Sequence, residues 1–147
     1  MKKIITGVLL LFVVATIGFV VYKKTTGKAG KLEIKEKDRI VYYFHATKRC
    51  YTCNLIEKQV KKSLDTNFSK ELADGTIKFV SVNLDKSENE HFVNDFKLKG
   101  RVVVLAYMLE GKAVYKRMDD VFKRVREGDA FLDYVKNEVN TFLLKRN

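Results

Sequence analysis

Both cysteines of the chain, Cys50 and Cys53, stand at one junction. Before them runs "RIVYYFHA" (residues 39–46), a β-branched and aromatic segment with the composition of a buried strand. After them Cys53, Ile56, Val60 and Leu64 recur at helical spacing, with Leu55 beside the stripe and Lys58, Lys61 and Lys62 off it. Glu57 and Lys61 are placed as an i,i+4 ion pair. A strand that leads into a helix and then into a second strand implies a crossover between parallel neighbours.

The second strand is "TIKFVSVNLD" (residues 76–85), carried by Ile77, Phe79, Val80, Val82 and Leu84 and reached through the polar connection "TNFSKELADG". "SENEHFVNDF" (residues 87–96) reads as a helix with a Ser87–Glu90 capping box and with Phe92, Val93 and Phe96 as its buried edge. "RVVVLAYMLEGKAVYKRM" (residues 101–118) reads as a hairpin turning near Glu110-Gly111. Residues 118–128 suit a loop or a short helix. A last helix follows, with Asp129 as N-cap and a stripe of Phe131, Leu132, Val135, Val139, Phe142 and Leu143. The hairpin adds antiparallel pairs to the parallel one. The expected fold is therefore α/β: one mixed central sheet with helices on both faces.

The net charge of +11 suggests a polyanionic partner until its distribution is read. Lys2, Lys3, Lys23, Lys24, Lys28 and Lys31 fall in an amino-terminal stretch without a single acid. Beyond residue 31, 23 basic side chains face 18 acidic ones, a net of +5, and the one concentration is at Lys123, Arg124 and Arg126. That is a mixed, solvated surface, and no nucleic-acid partner is expected. The early lysines bracket an uncharged run of 19 residues, 4–22. As a helix this run would be about 28 Å long, close to the hydrocarbon thickness of a bilayer. Lysines at each end can snorkel, and Tyr22 suits the interface. A cleaved signal peptide would have a shorter apolar core. The expected organisation is an amino-terminal membrane anchor (1–24), a polar tether (25–39) and one domain (40–147). A short Lys-bearing amino end favours a single-pass anchor with the domain on the extracytoplasmic or periplasmic side.

A Cys-x-x-Cys at a strand-to-helix junction is a redox signal. Only a thiolate attacks a disulfide, and the unpaired N–H groups and positive dipole end of a helix start stabilise one. Cys50 takes that place, Lys48 and Arg49 add positive charge just before it, and Cys53 lies one turn further in, placed to resolve a mixed disulfide. The same two residues could also be an inert local crosslink or half of a zinc site. Zinc would need further ligands, for which His45 and His91 are the nitrogen candidates. His45 can tune Cys50 or simply pack at the strand end. His91 reads as a solvated side chain and Tyr43 as core.

Over residues 40–144 the sequence resembles the thioredoxin-like superfamily. "YYFHATKRCYTC" looks like its first strand and active-site run, "IKFVSVNLD" like its central strand, and "FKLKGRVVVLAYMLEGK" like the approach to its hairpin. "YFHATKRCYTCNLIE" is also similar to small membrane-anchored proteins described as nitrophenyl compound nitroreductase subunits. The resemblance implies a nucleophilic Cys50 and a resolving Cys53, with His45 and Arg49 in support. Three departures follow. The superfamily's cis-proline would fall at Val102, and the chain has no proline, so a trans peptide and an altered substrate groove are expected there. Tyr43 stands where a buried acid is common, which removes the usual proton relay. The tryptophan-rich approach is absent as well.

The expected activity is thiol–disulfide exchange with protein or small-molecule thiols and disulfides, the cysteine pair itself being the redox centre with no added cofactor and no metal. The alternatives are a metal-handling module built on Cys50 and Cys53, or a non-catalytic subunit of a membrane complex.

Overall fold

The structure, a computed structural model, describes residues 34–35 and 38–144. The expected anchor at residues 1–24, and residues 25–33 and 36–37 of the tether, lie outside the described residues. Among those described, no helix is long and apolar enough to cross a membrane. Leu32–Asn147 forms one unit. Its elements are β1 (Arg39–His45), α1 (Tyr51–Asn67), α2 (Ser69–Ala73), β2 (Ile77–Asn83), a 3₁₀ turn at Ser87–Asn89, α3 (His91–Asp95), β3 (Val102–Leu109), β4 (Lys112–Met118), α4 (Val121–Arg124), α5 (Asp129–Val139) and a π-helical turn, Asn140–Leu144.

The four strands lie in the order β2-β1-β3-β4. β1 pairs parallel with β2 and antiparallel with β3, and β3 pairs antiparallel with β4. This is the mixed central sheet and α/β class expected from the sequence. β1 and β3 are central and covered on both faces, which is why both read as unbroken apolar runs rather than as alternating ones. Their pleat sorts the side chains. Val41, Tyr43, Val103 and Leu105 face α1 and α5, packing with Ile56, Val60, Leu64, Phe131, Val135 and Val139. Ile40, Tyr42, Phe44, Val102, Val104 and Ala106 face the other way, against Val82, Phe96 and Leu98. The second face is covered mainly by α3 and its flanks, so the two layers are unequal.

The β3–β4 turn falls where it was expected. Glu110 (φ 51°) and Gly111 (φ 73°) are both left-handed, as a two-residue hairpin whose twist matches its strands requires. Three local readings are corrected. No Ser87–Glu90 capping box forms: Ser87 opens the 3₁₀ turn, Glu90 is already helical, and their link is Glu90 N–H to Ser87 carbonyl at 3.3 Å. Asp129 is the first residue of α5 rather than its cap. Gly128, at φ 63°, turns the chain into that helix, and the Asp129 carboxylate sits at the positive dipole end instead. The connection after α1 is partly helical, and its Phe68 is buried beneath α2.

Ile56 is fully buried on the α1 face that meets the sheet. Ile56→Ala is expected to lower the unfolding free energy by about 2–5 kcal/mol, read as a shifted denaturation midpoint with an unchanged slope.

Candidate functional site

Cys50 is the N-cap of α1, with extended backbone (φ −88°, ψ 165°). Its Sγ accepts the Cys53 N–H at 3.2 Å, a bond that a Ser or Asp cap would make through oxygen. The first turn of α1 holds no acidic residue, so nothing on the helix itself neutralises the positive end under this sulfur. The two cysteines are joined as a disulfide. They differ sharply in access. Cys50 is exposed, whereas Cys53 is fully buried as the first member of the apolar stripe that binds α1 to the sheet. A redox pair needs this asymmetry: one sulfur that a substrate can reach and one that only its neighbour can.

Tyr43, beneath the pair, is fully buried, and its hydroxyl donates to the Cys53 carbonyl at 2.8 Å. Burial raises its pKa, with the nearby Arg49 and Arg101 charges opposing and Glu57 reinforcing the shift. Tyr43 therefore stays a neutral donor committed to the backbone, and supplies no proton relay.

Arg49, expected to add charge beside Cys50, directs its guanidinium elsewhere. It pairs with Glu57 and donates to Ser81 Oγ (3.1 Å) and His45 Nδ1 (3.3 Å). Lys61 holds the other Glu57 oxygen at 3.2 Å, the i,i+4 pair expected from the sequence. Burial acts to raise the Glu57 pKa, but the hydrogen bonds from Arg49 and Lys61 outweigh it and the carboxyl ends below its ordinary value. His45 Nδ1 also lies 2.9 Å from the Ala46 carbonyl. One nitrogen cannot serve both contacts, since accepting from Arg49 needs its lone pair and donating to Ala46 needs a proton. His45 Nδ1 therefore either accepts from Arg49 or donates to the Ala46 carbonyl, according to its tautomer, and neither contact is to a sulfur.

Val102 opens β3 opposite Phe44, with its side chain in the aromatic layer on the far face of the sheet and its peptide trans. The residue before it does what the sequence reading had not anticipated. Arg101 reaches across from the β3 approach and places Nη1 3.5 Å from Cys53 Sγ, while its Nη2 donates to the Lys48 carbonyl at 3.2 Å. The positive group at the disulfide is this one, 48 residues from Cys53 in sequence. Among the described residues, no three His, Cys, Asp or Glu side chains gather where they could hold a metal ion.

No protein-family model matches the chain, and no curated protein matches its sequence. Among solved structures it is similar to chloroplastic thioredoxin z (20% identity, TM-score 0.37, covering 64% of this chain and 80% of that one). It is likewise similar to a thioredoxin from Thermus thermophilus (17% identity, TM-score 0.37, covering 61% of this chain and 72% of the other). The role of each residue rests on the geometry above, not on these likenesses.

Because the Glu57 carboxyl is held below its ordinary pKa in the folded state, its contribution is full above the unfolded value and is lost as the pH falls through the folded one. Glu57→Gln is expected to cost about 1 kcal/mol at neutral pH and to remove that share of the acid-dependent loss, as denaturant titrations at pH 7 and pH 3 would show.

Proposed function

We propose that the chain is a membrane-anchored thiol–disulfide oxidoreductase. The observation that carries the activity is the pairing of an exposed N-cap Cys50 with a buried, disulfide-linked Cys53 one turn deeper. In the reduced form the Cys50 thiolate attacks one sulfur of a substrate disulfide. A Cys50–substrate disulfide forms, and the other substrate sulfur departs as a thiolate that takes a proton from water. Cys53 then gives its proton to water and attacks Cys50 Sγ, expelling the second substrate sulfur as a thiolate that takes a proton from water in turn. Two electrons pass from the protein dithiol to the substrate, which ends as two thiols while Cys50 and Cys53 end as the disulfide. With a dithiol substrate the same steps run backwards.

Arg101 acts on the second step. Among the described residues no buried acid lies beneath the pair to accept the Cys53 proton, and a guanidinium against Sγ favours the thiolate directly by opposite charge. The anchor is residues 4–22, and the domain faces the extracytoplasmic side. The supports are the lysine-bracketed apolar run and the short basic amino end.

The domain is expected to catalyse reduction of insulin disulfides by dithiothreitol. Cys50→Ser abolishes this turnover, and Cys53→Ser accumulates the Cys50 mixed disulfide, visible by mass. Turnover that survives Cys50→Ser refutes the assignment of the nucleophile. Arg101→Met is expected to slow resolution of the mixed disulfide about tenfold at neutral pH and to move its pH–rate profile upward, since the opposite charge against Sγ that favours the thiolate is gone. Arg101→Lys should restore part of both.

A further inference from the structure

Arg101 has a second environment. Beyond the disulfide its side chain lines an open cleft of about 440 Å³ between the β3 approach and the β4–α4 connection, together with Lys99, Gly100, Val102, Arg117, Asp119 and Phe122. The charges there are three cations against one carboxylate, a net of +2. The carboxylate is already engaged, Asp119 lying 3.3 Å from Arg117 Nη2. Lys99 is exposed, and Phe122 is among the few large apolar side chains left open to solvent. The positive face therefore comes from Lys99 and Arg101 on the β3 approach and Arg117 near the end of β4, and Arg101 also touches Cys53 Sγ. The excess is locally higher than in the chain as a whole, which past residue 31 carries 23 basic side chains against 18 acidic ones.

We infer that this cleft selects the substrate. It takes a protein segment whose reactive cysteine is flanked by Asp or Glu, the carboxylates meeting Lys99 and Arg117 and an apolar neighbour resting on Phe122. The inference rests on the exchange activity proposed above and names its substrate class. Complementary charge around a groove discriminates partners and speeds encounter more than it adds raw affinity. Such contacts at a solvated rim each change binding a few-fold and weaken with salt.

The test separates recognition from chemistry. Redox-inert peptides, with Ser in place of Cys and either Asp/Glu or Lys flanks, are titrated into the oxidised protein and followed by chemical-shift changes at Gly100 and Phe122. The acidic peptide is expected to bind about tenfold tighter at low salt, with the difference shrinking at 0.5 M NaCl. Lys99→Glu should cut the preference several-fold. Asp119→Asn, which removes the carboxylate beside Arg117 Nη2 and leaves the Nη1 bond to the Lys97 carbonyl, should increase it. Equal binding of the two peptides, or a preference that Lys99→Glu leaves intact, overturns the inference. So does tight binding to phosphatidylglycerol vesicles with no discrimination between peptides, which would reassign the cleft to a lipid surface. If the matching disulfide peptides bind with the acidic preference yet are not reduced, the exchange reading fails while the cleft's selectivity stands.

Discussion

The site exists because one side of α1 is held down. Ile56, Val60 and Leu64 pack onto the odd-numbered residues of β1 and β3, and the Tyr43 hydroxyl grips the Cys53 carbonyl in the same layer. Burial of these groups removes apolar surface from water, and the buried hydroxyl keeps its hydrogen bond. The consequence for chemistry is geometric. A helix anchored through its first turn presents its N-cap at the end of β1, and whichever side chain occupies that cap sits beside unpaired N–H groups. Here it is a sulfur.

The charges around the cysteines are divided by partner. Arg49 is nearest in sequence, yet Glu57 and Ser81 draw it toward the side of the sheet where β2 runs, and Lys61 completes that cluster. Arg101 is remote in sequence, and it is the one that meets the buried sulfur. An arginine bound to a carboxylate contributes little net field at a distance, whereas one bound to carbonyl and sulfur keeps its full charge. Partnership therefore decides which cation can matter to a thiolate, and adjacency along the chain does not.

Much of the scaffold was legible in the residues. The α1 stripe, the Glu110-Gly111 hairpin and the two central strands rest on periodicity, on left-handed turn chemistry and on β-branched runs, all of which act over a few residues. The failures were local as well. Ser87 with Glu90, and Asp129, have the composition of caps, but a 3₁₀ turn and a left-handed Gly128 already set those helix starts by backbone geometry. Attention to the position of an absent proline pointed to Val102. The Val102 side chain lies in the layer on the far face of the sheet, and Arg101 is the residue that reaches Cys53. Its basic neighbours in "KLKGR" were the only sequence signal available.

The sequence by itself determined the order of elements, the continuous burial of β1 and β3, and the placing of a cysteine pair at a helix start, because each depends on spacing within one segment. Only the tertiary structure decided that Cys50 is open and Cys53 closed, that Glu57 claims Arg49, and that Arg101 joins the disulfide to a basic cleft. Those outcomes depend on which side chains a folded sheet brings within a few ångströms of each other, and separation along the chain carries no record of that.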